Sequence, residues 1–113
     1  MSKNHVLLAF LCSFCFTLSV SADYIDGQRA YASGDYEGAI LEWTKVAQDG
    51  NARAQYNLGW MHANGRGIAQ DFQEAIKWYT KSAEQGNVNA QYNLGNLYLR
   101  GQGASQNDNL AFS

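Results

Sequence analysis

Ala54-Gln55-Tyr56-Asn57-Leu58-Gly59 returns unchanged as Ala90-Gln91-Tyr92-Asn93-Leu94-Gly95, a displacement of 36 residues. Under the same shift Gly65, Gly67 and Gln70 return as Gly101, Gly103 and Gln106. Residues 51–77 laid on residues 87–113 give 11 identities in 27 positions without a gap. The shift also works backwards: Asp35, Ala39, Ile40, Thr44, Lys45, Ala47 and Gly50 match Asp71, Ala75, Ile76, Thr80, Lys81, Ala83 and Gly86. A fixed period of this size marks a repeat array, in which stacking neighbours bury the apolar face that one unit cannot bury alone.

Each unit reads as two helices. In the first, Ala54, Leu58, Met61 and His62 fall on one face at helical spacing, and Asn51 stands where an N-cap belongs. Gly65-Arg66-Gly67 ends it, because glycine accepts the left-handed conformation of a helix exit. In the second, Asp71 and Glu74 have capping-box spacing. Phe72, Ile76, Tyr79 and Ala83 form its expected apolar stripe, with Ala75 beside it. Trp78 is expected to wedge against the next unit, and Lys81 to pair with Glu84 across i,i+3. A glycine inside a helix costs about 1 kcal/mol relative to alanine. Gly59 and Gly95, with Ala39 and Ala75, are therefore expected where two backbones approach closely. The fold class that follows is all-α, an α/α superhelical solenoid of antiparallel hairpins with about two and a half repeats.

The stretch 51–59, the Gly65-Arg66-Gly67 loop and the run Asp71-Phe72-Gln73-Glu74-Ala75-Ile76-Lys77-Trp78-Tyr79 resemble the Sel1-like repeat, a relative of the tetratricopeptide repeat with a longer loop inside the hairpin. The resemblance covers nearly all of the chain after residue 22 and implies a superhelix that binds other proteins. Residues 23–50 are read as an amino-terminal unit with the tighter turn of a tetratricopeptide repeat, because Gly27 to Ala39 is shorter than Gly59 to Ala75. Residues 51–86 form a full repeat. By register, residues 87–113 stop inside the second helix of the next one, so a longer array is expected.

Residues 1–22 have the order of a secretory signal: Lys3, an uncharged apolar run from Val6 to Leu18, and a small-residue exit at Val20-Ser21-Ala22. The apolar run is short for a membrane span, which needs about 20 residues. Cleavage after Ala22 removes both cysteines, Cys12 and Cys15, and leaves His62 as the single histidine. The intact chain has 8 basic and 10 acidic residues, a formal net charge of −2. That balance offers nothing to nucleic acid or an anionic membrane surface, so membrane contact is expected only during export. The expected location is periplasmic or secreted.

No catalytic residue, metal ligand or cofactor is expected. His62 stands alone, at the position where the next repeat has Tyr98, and a triad or a zinc site needs converging partners. The candidate site is instead a second stripe on the first helices: Arg53, Asn57, Trp60 and Asn64, repeated as Asn89, Asn93, Asn96 and Arg100, with Tyr56 beside it. These residues are expected to face away from the packed side, with Trp60 exposed on a concave surface. Amides suit peptide backbone, and arginine and tryptophan are enriched at interface hot spots. Asn57 and Asn93 could equally bond the neighbouring helix. The expected function is a scaffold for a protein or peptide ligand in the cell envelope. The alternatives weighed against it are a β-lactamase-like or penicillin-binding activity, as in cysteine-rich relatives, and a peptidoglycan-binding structural role.

Overall fold

The computed structural model describes residues 24–103, which carry five helices and no strand. The leader reading at 1–22 and the second helix expected within the last unit fall outside these residues. Helix α1 covers 24–32. It is followed by α2 (Tyr36–Gln48), α3 (Ala52–Asn64), α4 (Phe72–Glu84) and α5 (Val88–Leu99). The described residues form a succession of hairpins: Tyr24 of α1 lies beside Trp43 of α2, and Tyr31 beside Tyr36. In the next hairpin Ser82 Oγ donates to the Ala52 carbonyl and the Asp71 N–H to the His62 carbonyl, so α3 and α4 run antiparallel.

Local chemistry fixes the helix ends. The Asn51 and Asn87 side chains each accept the backbone N–H three residues on, at 2.9 Å, in the same position of successive units. Asp35 and Asp71 do the same for α2 and α4. Capping of this kind satisfies helix donors that would otherwise lack partners. The capping box is only half formed. Glu74 does not return to the Asp71 N–H, because that donor is already committed to the His62 carbonyl at 2.9 Å. In the α3–α4 loop Gly67 is held at φ 76°, and its backbone lies on Tyr36, where an added Cβ would come within 2.5 Å of the Tyr36 Cβ. The longer loop thus rests on the start of the preceding unit's second helix.

The core forms in two parts. Ala39, Trp43, Val46, Ala47, Ala54, Leu58, Met61 and Trp78 make the first. Ala75, Tyr79, Ala90 and Leu97 make the second. Trp78 therefore packs back onto α2 and α3 rather than forward onto the next unit. The buried face of α4 is Ala75, Trp78, Tyr79 and Ser82, rotated from the expected stripe, so Phe72, Ile76 and Ala83 are only half-buried. The rotation follows from α4 packing on α3 on one side and α5 on the other, which presents two partners to one helix. Lys81 does not bridge to Glu84; its ammonium lies over the Trp78 ring at 5.3 Å, and the ion pair of α4 is Lys77 with Glu74. The expected approach of two backbones is not found at either glycine: Gly59 is covered by the Tyr79 ring, a side chain, and at Gly95 nothing among the described residues lies within 4 Å of an added Cβ. Gln55 and Gln91 fasten the units together: each donates its side-chain amide at 3.1 Å to the last-turn carbonyl of the preceding helix, Ala47 or Ala83.

Candidate partner-binding groove

Two adjoining hollows lie along the surface formed by the first helices of successive units. The first, about 390 Å³, is lined by Tyr24, Gln28 and Tyr31 of α1, Trp43 of α2, and Arg53, Tyr56, Asn57, Trp60 and Met61 of α3. The second, about 350 Å³, is lined by Trp60, Ala63 and Asn64 of α3, Asn93, Asn96, Leu97 and Arg100 of α5, Phe72 and Tyr79 of α4, and Gln70 and Gln102 of the loops. Trp60 belongs to both and forms the ridge between them. Their size falls at the low end of the roughly 300–1,000 Å³ typical of ligand pockets.

The anticipated stripe is largely brought together here. Arg53, Tyr56 and Asn57 line the first hollow, Asn64, Asn93, Asn96 and Arg100 the second, and Trp60 both. Asn89 is exposed near the start of α5 and lines neither. Trp60 is not the exposed side chain that the spacing implied. It is half-buried and packs against both parts of the core, edge-on to Tyr31 at 6.5 Å between ring centroids. The ring is large enough to span the gap between units, so most of it is taken up by packing.

The two repeated asparagines have different surroundings. Asn93 donates to the Tyr79 hydroxyl at 3.3 Å and the Tyr56 hydroxyl at 3.5 Å, which ties α5 to α3 and α4. One unit earlier, Tyr79 is replaced by Trp43, which has no hydroxyl and sends its indole N–H to the Tyr24 carbonyl at 3.2 Å. Asn57 lines the first hollow and, among the described residues, makes no side-chain hydrogen bond equivalent to those of Asn93.

Burial pushes the Tyr79 hydroxyl up to about 12 from its ordinary 10.0, although the Asn93 amide pulls it down; the neighbouring Tyr56 adds a small upward push. The folded state thus holds this proton more tightly than the unfolded chain, so Tyr79's contribution is intact below about pH 10 and is lost as the pH rises through about 12. Denaturant midpoints measured across that window are expected to fall for the natural protein. Tyr79→Phe removes the titrating group and should flatten that part of the curve; an unchanged slope would remove Tyr79 as its source.

Aromatic faces in the groove are already paired with cations. The Arg53 guanidinium lies over the Tyr24 ring at 5.0 Å, and Arg66 lies over both Tyr36 and Trp60 at 5.3 Å. His62 is 9% exposed and lines neither hollow.

The family model for the Sel1 repeat matches residues 52–87 and 88–113, more than half of the chain. No curated protein matches. Among solved structures, the fold is similar to that of a protective antigen present in uropathogenic Escherichia coli strains, described as displaying an SLR fold, with a TM-score of 0.76 and 32% identity over 81% of this chain. It is also similar to a Sel1 repeat protein from Oxalobacter formigenes, with a TM-score of 0.72 and 35% identity over 81% of this chain. The chain spans 21% of the first of those proteins and 40% of the second.

Proposed function

Because this chain belongs to the Sel1 repeat family, whose members typically mediate protein–protein interaction, we propose that it is an exported scaffold of the cell envelope, periplasmic or secreted, which holds a protein or peptide partner along its paired hollows. The observation that carries this reading is the continuity of the two hollows across the Trp60 ridge. A groove that crosses from one repeat to the next fits an extended segment better than a compact metabolite. The leader-like order of residues 1–22 supports export. Its chemistry is that of a binding surface: amides and arginines at the edges, aromatic rings on the floor.

Affinity capture from the native envelope tests the reading, with residues 23–113 as bait and Arg53→Ala/Trp60→Ala/Arg100→Ala as control. A protein enriched by the natural sequence and lost with the triple variant is the expected result. Equal recovery by both baits would remove the groove assignment. Retention of purified cell wall in place of any protein would turn the reading towards glycan binding.

A further inference from the structure

The charges of this chain are sorted in space. The sequence carries more acidic than basic residues, yet among the described residues no aspartate or glutamate lines either hollow, whereas Arg53 lines one and Arg100 the other. The acidic side chains have other positions. Asp35 and Asp71 cap helices. Asp26, Glu42 and Glu74 pair with Arg29, Lys45 and Lys77 and line neither hollow. Among the described residues neither Arg53 nor Arg100 has a carboxylate within ion-pair distance. Each hollow therefore carries a cationic side chain and, among the described residues, no carboxylate, a local pattern that favours anionic segments.

The first hollow adds a second requirement. Its floor is a cluster of rings: Tyr31 to Trp43 at 5.9 Å, Tyr24 to Trp43 at 6.4 Å and Tyr31 to Trp60 at 6.5 Å between centroids. Such a cluster could in principle take a ligand's cation or its apolar ring. The cation is excluded here, because Arg53 and Arg66 already lie over the Tyr24 and Trp60 rings and would repel it. An aromatic side chain meets no such opposition.

Building on the scaffold reading above, we propose that the groove is selective for an acidic peptide segment bearing an aromatic side chain. The aromatic ring enters the first hollow and rests on the floor that Tyr31 and Trp60 help to form, and flanking carboxylates meet Arg53 on one side of the ridge and Arg100 on the other. Both arginines are exposed, so the attraction weakens as salt screens it.

The test uses three short capped peptides built from glutamate, phenylalanine and glycine, titrated into the protein by calorimetry. The first carries both glutamate and phenylalanine. The second has lysine in place of each glutamate, and the third has alanine in place of phenylalanine. The first is expected to bind at least about tenfold more tightly than either of the others and to weaken with added salt. The variant Arg53→Glu/Arg100→Glu should invert the preference towards the lysine peptide, a gain that loss of folding cannot mimic. If the glutamate and lysine peptides bind alike, the groove reading stands and the acidic selectivity is overturned. If none binds while the envelope capture still depends on Arg53, Trp60 and Arg100, the partner is a folded surface and the peptide proposal fails alone. If both experiments are blank, the scaffold reading falls as well.

Discussion

Trp43→Ala is expected to lower the unfolding free energy by about 3–5 kcal/mol, the range for removing a buried large aromatic side chain. Trp43 is 4% exposed and sits where α1, α2 and α3 meet. Its ring touches Tyr24 and Tyr31, its indole N–H holds the Tyr24 carbonyl, and its face covers Gly27, where an added Cβ would come within 2.4 Å. Truncation would leave a cavity under α1 and remove the group that docks this helix onto the array. Small domains have only about 5–15 kcal/mol in hand, so the variant should approach unfolding and lose α1 protection first. Leu41→Ala on the same helix is the control. Leu41 is 66% exposed, and its replacement should shift stability by no more than about 0.5 kcal/mol. Denaturation followed by circular dichroism measures both. A loss below about 1.5 kcal/mol for Trp43→Ala would contradict the packing described for it.

The second large expectation is a difference of sign within an identical motif. Gly59→Ala should destabilise the protein by about 1–2 kcal/mol, whereas Gly95→Ala should leave it unchanged or stabilise it by up to about 1 kcal/mol. Both glycines lie inside helices and both favour replacement on helix propensity alone. At Gly59 a Cβ would stand 2.6 Å from Cδ1 of Tyr79. That ring is 1% exposed, and its hydroxyl accepts a hydrogen bond from Asn93, so it cannot swing aside without breaking other contacts. At Gly95 a Cβ meets nothing within 4 Å among the described residues. Thermal melts of the two single variants decide the matter; a shift of the same sign in both would sink the argument.

These contrasts also mark the limit of what repetition in the sequence conveys. The 36-residue period, the asparagine and aspartate caps and the glycine exits depend on neighbours within a turn or two, so they were legible without coordinates. Most of the groove was legible for the same reason: Arg53, Asn57, Trp60 and Asn64 share a helix face through spacing alone. The contribution of α1 was missed. Tyr24 and Gly27 correspond to Tyr56 and Gly59 at a shift of 32 residues, not 36, because the first hairpin has the shorter turn. A second comparison at that shift would have placed Tyr24, Gln28 and Tyr31 beside the site.

By itself, then, the sequence determined the all-α repeat architecture and the family, since hydrophobic period and capping are local properties repeated along the chain. Only the tertiary structure decided that Trp60 is a half-buried ridge, that Trp78 packs backwards, that Lys81 covers a ring instead of meeting Glu84, and that Asn93 bonds two tyrosine hydroxyls while Asn57 lines the first hollow. The physical reason is that a helix in a solenoid touches two neighbours at once. Which face it buries depends on the rotation that satisfies both, and the partner of each repeated residue depends on what stands at the matching position of the next helix.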